Sequence, residues 1–126
     1  YLKAITNECI GSAIGSLYIT AYDLMEYIKA GFGKDFGADD RILQVANFKV
    51  LCIDELTQVR WTEYVAEAMQ TILDRRYQMR VTKGTVLAMD ENPADTLHPR
   101  LVSRLKSGTV INITESDLRP AMKTLF

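Results

Sequence analysis

Histidine is nearly missing from this sequence, and cysteine, proline and excess charge are scarce. His98 is the single histidine among 126 residues, so no metal site can be built from several imidazoles. The two cysteines, Cys9 and Cys52, stand far apart and fit no metal-ligand spacing. Cys52 falls inside an apolar run and reads as a small buried core residue. Sparse cysteine fits a reducing compartment, and the expected location is the cytoplasm. Fifteen basic residues nearly balance sixteen acidic ones, leaving a net charge of -1. The chain as a whole is therefore no electrostatic magnet for nucleic acid or acidic lipid, and such binding needs a local patch. No apolar stretch approaches the ~20 residues of a membrane span, and no signal-peptide pattern is present. The remainder is ordinary: 48 % hydrophobic and 25 % charged residues, as expected of one globular domain over residues 1–126.

The pattern along the chain alternates helices and strands. Leu2, Ile5 and Cys9 put one apolar face on an opening helix from Tyr1. Gly11 to Gly15 form a loop of small residues, and Leu17 to Thr20 a short strand. Thr20 is placed to cap a helix from Ala21 to about Ala30, with Leu24, Met25 and Ile28 on its apolar stripe. Gly31 ends it, and three glycines between Gly31 and Gly37 predict a flexible segment. Asp39 or Asp40 starts a short helix through Ile42, Leu43 and Val45. Phe48 to Ile53 reads as a buried parallel strand, because it is almost wholly apolar. Val65, Ala68, Met69, Ile72 and Leu73 give a helical period from Thr62 to Tyr77. Gly84 to Met89 is a further apolar strand, broken by Asn92-Pro93. A helix around Pro99 to Lys106 and a strand at Thr109 to Ile113 close the order. Such alternation predicts an α/β fold, a parallel sheet with helices on both faces.

The strand ending at Ile53 runs straight into two carboxylates, Asp54 and Glu55. Ligand and catalytic groups of open α/β sheets gather at the carboxyl ends of strands. An acidic pair there is placed to hold Mg²⁺ near a phosphate and to orient a water, the pattern of a Walker B element; a solvated acidic pair closing a strand fits as well. Asp90 ends the next strand, where it could contact the same water or simply form a turn. Arg100 and Arg104 share one helix face. They could recognise phosphate or act as an arginine finger, or form a solvated basic face. Arg75, Arg76, Arg80 and Lys83 cluster between helix and strand, open to phosphate or partner contact and also to helix-dipole pairing. Lys29, Phe32 and Lys34, with Phe36, join aromatic and basic groups in a glycine-rich loop. Stacking plus charge is how single-stranded nucleic acid is bound, and ordinary loop packing is the alternative.

Taken together, these elements resemble the AAA+ ATPase core of the DnaC/DnaI-type helicase loaders and the related IstB transposition ATPases. Ile53-Asp54-Glu55-Leu56 looks like that family's Walker B motif. Ile72-Leu73-Asp74-Arg75-Arg76-Tyr77 is similar to the Asp-Arg-Arg segment closing the following helix. Thr85 to Asp90 occupies the sensor-1 strand, and Arg100-Leu101-Val102-Ser103-Arg104-Leu105 resembles the arginine-finger helix. The resemblance implies ATP and Mg²⁺ as cofactors, Asp54 as metal ligand, Glu55 as catalytic carboxylate and Arg104 as a finger reaching a neighbouring subunit. It further implies a homo-oligomer, a replicative helicase and single-stranded DNA as partners, or a transposase in the IstB case. A third possibility is an interaction module that has lost its nucleotide chemistry. Three departures stand out. Asp90 replaces the usual sensor-1 Asn, Thr57 stands where Gly often follows Walker B, and no Gly-rich phosphate loop occurs in the sequence. The expectation is an N-terminally incomplete P-loop NTPase core, whose phosphate loop would lie just upstream of Tyr1.

Overall fold

The computed structural model describes residues 7–8, 15–89, 99–105 and 108. Within them a parallel sheet runs in the order β1 (Ser16–Thr20), β2 (Val50–Asp54), β3 (Gly84–Leu87). The helices are α1 (Ala21–Lys29), α2 (Ala38–Ala46), α3 (Glu63–Gln78) and α4 (Pro99–Leu105), and a 3-10 turn covers Leu56–Gln58. No helix of the described residues is long and apolar enough to cross a membrane.

Each helix starts where its first residues dictate. The Thr20 hydroxyl accepts from the Asp23 N–H at 3.2 Å and opens α1 directly off β1. Thr62 does the same for α3 through the Val65 N–H at 3.2 Å. Such a cap contributes about 1 kcal/mol by satisfying an orphan helical donor. The start of α2 lies at Ala38, slightly before the expected Asp39 or Asp40. Gly37 is its N-cap, and the Asp40 carboxylate accepts from the Gly37 N–H at 3.1 Å.

The segment from Gly31 to Gly37 folds back on itself instead of trailing free. A Cβ on Gly31 would lie 2.8 Å from the Gly37 carbonyl carbon, so only glycine permits the close approach. Gly33 has a φ of +72°. Arg41 ties the loop down by donating to the carbonyls of Phe36 at 3.1 Å and Tyr27 at 2.9 Å.

With parallel strands in sequential order and right-handed crossovers, the helices between them fall on one face of the sheet. The packing agrees: α1 lies on α2, α2 on α3 and α3 on α4. Leu24, Met25 and Ile28 of α1 meet Val65, Met69 and Ile72 of α3 and Leu51 and Ile53 of β2 in one buried cluster. Burying each large aliphatic side chain stabilises the domain by about 2 kcal/mol. Cys52 points to the other face, since successive strand residues alternate, and it too is fully buried. Both faces of the central strand are thus covered at Leu51, Cys52 and Ile53, in keeping with its apolar run up to Asp54.

Arg76 is the exception to an apolar core. It is 2 % exposed, which removes it from any contact with nucleic acid or a partner and corrects the reading of a basic surface cluster. Its guanidinium makes five hydrogen bonds, to the carbonyls of Ala46, Phe48, Lys49 and Gly84 and to the Thr85 hydroxyl. Burial pushes its pKa below the usual arginine value, yet the five acceptors supply what water would have given. α2 carries no basic residue in its last turn. Arg76 serves its Ala46 carbonyl instead, and Lys83 donates to the Asn47 carbonyl at 2.7 Å. Arg80 turns to its own helix end, donating to the Tyr77 carbonyl and lying over the Tyr77 ring, 4.3 Å from its centroid.

Candidate functional site

The carboxyl end of β2 is built around an irregularity. β2 and β3 pair in regular register from Val50↔Gly84 to Ile53↔Leu87. The residue just after β3, Ala88, donates to the Ile53 carbonyl at 3.0 Å and accepts from the Leu56 N–H at 3.1 Å. In a regular parallel ladder that acceptor would face the Glu55 N–H. One residue too many lies between the two bonds, a bulge of the kind that re-aims side chains next to active sites. Glu55 absorbs it with φ 54° and ψ 45°, and it is the sole non-glycine residue of positive φ among the described ones. That conformation costs a residue with a Cβ roughly 1 kcal/mol.

The bulge frees the Glu55 N–H from the ladder. It turns back to donate to Asp54 Oδ1 at 2.8 Å. The second oxygen of the same carboxylate, Oδ2, accepts from the Tyr18 hydroxyl at 2.7 Å. Tyr18 reaches it because β1 pairs in register with β2, Tyr18 opposite Cys52 and Thr20 opposite Asp54. Tyr18 and Asp54 therefore share one face of neighbouring strands, and an aromatic side chain spans the diagonal. The Asp54 carboxylate holds the Tyr18 proton and pushes its pKa up to about 12, with burial adding to the effect. Asp54 is half-buried and Glu55 exposed, so one carboxylate is anchored and the other projects from a strained turn.

Among the described residues no group of three or more His, Cys, Asp or Glu side chains could cage a metal ion. The donor set fits Mg²⁺ nonetheless, which is held by one or two carboxylates plus substrate phosphates and water. Asp54 is the residue that would hold it, because both its oxygens are oriented and, among the described residues, each accepts one hydrogen bond out of two acceptor positions. Below the bulge, Leu56 is buried in the core and fixes the turn. Thr57 Oγ1 and Trp61 Nε1 are buried without a hydrogen-bond partner among the described residues.

The other expected site residues fare differently. Asp90 lies outside the described residues, as does the strand expected at Thr109 to Ile113. Arg100 and Arg104 belong to α4, which packs on α3 through buried Leu101, but their side chains lie outside the description. Lys29 and Lys34 are exposed, and Phe32 is 55 % exposed. The three occupy one tight turn, with the Phe32 N–H bonded to the Lys29 carbonyl and the Lys34 N–H to that of Gly31. Phe32 sets its ring edge-on against Tyr64 in the first turn of α3, with centroids 5.3 Å apart. Tyr18 is the site residue that pattern reading missed. Its only sequence signal is an aromatic hydroxyl two residues before a strand end, and that acquires meaning through the pairing register.

Comparison with protein-family models and with curated protein sequences gave no match. Solved structures do resemble the chain. The AMPPCP-bound DnaA from Aquifex aeolicus superposes with a TM-score of 0.81 at 22 % identity, over 94 % of this chain and 37 % of that one. A replication initiator DnaA bound to AMPPCP and single-stranded DNA gives 0.80 at 21 % identity, over 98 % and 40 %. Domain III of the replication initiation protein DnaA from Thermotoga maritima gives 0.74 at 18 % identity, over 98 % and 53 %.

Proposed function

We propose that the chain is the core of an AAA+ ATPase of DNA replication, acting in the manner of a helicase loader. Its α/β P-loop NTPase-type fold supports the reading, matched over nearly the whole chain although the chain spans about half or less of each similar structure. The observation that carries the reading is the Asp54-Glu55 pair on its bulge at the end of the central strand, one carboxylate held from two sides and the other exposed. The pair would serve as a Walker B element. Asp54 would hold Mg²⁺, whose charge offsets that of the phosphates, and Glu55 would orient the attacking water. Arg104, with Arg100 beside it on α4, would reach the nucleotide of a neighbouring subunit, and Asp90 would stand at the sensor-1 position.

Support for nucleotide binding and for replication comes from what the similar proteins do: two were solved with AMPPCP, and one of those also with single-stranded DNA. Lys29, Phe32 and Lys34, exposed on one turn, offer the aromatic and basic groups that a single strand needs. A replicative helicase is the expected partner, with assembly into a homo-oligomer through the arginine-bearing helix. The IstB-like alternative replaces the helicase by a transposase, and a pull-down with each partner separates the two. A non-hydrolysing interaction module is the reading of a different class. ATP hydrolysis by the full-length protein, lost in Glu55→Gln, supports the enzyme. No turnover with DNA and helicase present would refute it.

A further inference from the structure

We propose that Tyr18 is a positioning residue of the acidic site: together with the Glu55 N–H it locks the Asp54 carboxylate in the orientation that receives a divalent cation beside a bound nucleotide. The inference deepens the reading of the acidic pair and rests on it.

Two donors, one on each oxygen, hold Asp54. The Tyr18 hydroxyl lies 2.7 Å from Oδ2 and the Glu55 N–H 2.8 Å from Oδ1. A single donor would leave the carboxylate plane free to turn about its Cβ–Cγ bond. Two donors from opposite sides fix it. Each carboxylate oxygen has two acceptor positions, and among the described residues each uses one, leaving the other for a cation or for the cation's water. Both donors are built in before any ligand arrives. The Glu55 N–H is released by the bulge, and the Tyr18 hydroxyl is delivered by the β1–β2 register. Partners of this kind fix ligand orientation at metal sites, and losing one typically costs about 10- to 100-fold in metal affinity. A Phe at position 18 would fill the same space and lack only the donor. Its effect therefore isolates the hydrogen bond from the packing.

The test uses the full-length protein, Mn²⁺ as a spectroscopically visible divalent cation, and AMPPCP as the nucleotide. Mn²⁺ binding in the presence of AMPPCP is titrated by electron paramagnetic resonance for wild type, Tyr18→Phe and Asp54→Asn. AMPPCP affinity is also measured in EDTA, and thermal unfolding is recorded for each. Tyr18→Phe is expected to weaken Mn²⁺ binding roughly tenfold, with metal-free AMPPCP affinity unchanged. Wild-type Mn²⁺ affinity in Tyr18→Phe, alongside weak binding in Asp54→Asn, would overturn the positioning role and leave the acidic pair intact as a metal site. Wild-type affinity in Asp54→Asn as well would remove the metal-site reading and the positioning role with it. Equal losses with and without metal in Tyr18→Phe would reduce the tyrosine to a structural contact and so overturn the proposal.

Discussion

The two ends of the sheet treat charge in opposite ways. At the amino end, Arg76 is sealed from water and saturated, its donors spread over four carbonyls and a hydroxyl. At the carboxyl end, Asp54 is half-exposed and held by two donors, with acceptor positions to spare, and Glu55 projects from a left-handed backbone. One charge is fully used within the fold. The other is oriented and left open. A saturated group can only stabilise, whereas an oriented group with spare valence can bind. The sheet thus puts its internal fastening at one end, and the proposed site lies at the other, in keeping with the general placement of sites in open α/β sheets.

That contrast breaks first at Glu55. In the full-length protein, Glu55→Gln is expected to lower ATP turnover by roughly 10³-fold, the scale of losing a positioned acid–base group, while leaving chemical denaturation unchanged. A phosphate-release assay beside an unfolding curve checks both halves. If the substitution instead costs stability and spares turnover, the carboxyl end is a second fastening and the contrast fails.

Arg76→Met is the mirror experiment at the amino end. Methionine matches the aliphatic stem but leaves the Ala46 and Phe48 carbonyls without this donor, at the end of α2 and the approach to β2. Breaking such a buried polar network costs about 3 kcal/mol, read as a lower denaturant midpoint. Arg76→Lys should recover little of it, since one ammonium cannot reach acceptors arranged around a planar fork. Turnover per folded molecule should stay at the wild-type level.

How much of this was readable in the sequence follows from how local each signal is. Thr20 announces α1 because a cap needs only the next three residues. The stripe of Val65, Ala68, Met69, Ile72 and Leu73 gave α3 for the same reason, and all five are buried. The apolar run ending at Asp54-Glu55 marks the central strand, although the strand begins at Val50, not Phe48: the Phe48 carbonyl accepts from Arg76, while the Lys49 carbonyl still accepts from the Gly84 N–H. The bulge was invisible, since it exists only relative to Ala88 on another strand. Tyr18 was invisible for the same reason. Arg76 sits among Arg75, Arg80 and Lys83 by charge, but it falls four residues after Ile72 and seven after Met69, on the buried stripe of α3. That spacing separates it from exposed Arg75 and Arg80, and its acceptors come from the end of α2 and the strand starts.

Smaller effects test whether the carboxyl end also carries structural duty. Thr20 is opposite Asp54 in the ladder, yet its hydroxyl caps α1. Thr20→Ala should therefore cost about 1 kcal/mol of stability, with Mn²⁺ affinity at the acidic pair unchanged. A loss of metal affinity without a loss of stability would move Thr20 from the scaffold into the site.

The finest test asks whether the strain at Glu55 belongs to the site or to the fold. Its left-handed backbone costs a residue with a Cβ roughly 1 kcal/mol. Glycine has no such cost, but it gives the unfolded chain more freedom, which takes back about half of the gain. Glu55→Gly should therefore raise stability by roughly 0.5 kcal/mol and abolish turnover together with the carboxylate. Glu55→Ala supplies the control: it removes the carboxylate and keeps the Cβ, so it should lose turnover without gaining stability. If glycine and alanine unfold at the same denaturant concentration, the turn is not strained, and Glu55 stands there for its side chain alone. If glycine is the more stable, the backbone at this position is held against its own preference. The strained turn is the same feature that frees the Glu55 N–H to anchor Asp54, so stability would then have been given up at the one place where a carboxylate must be presented.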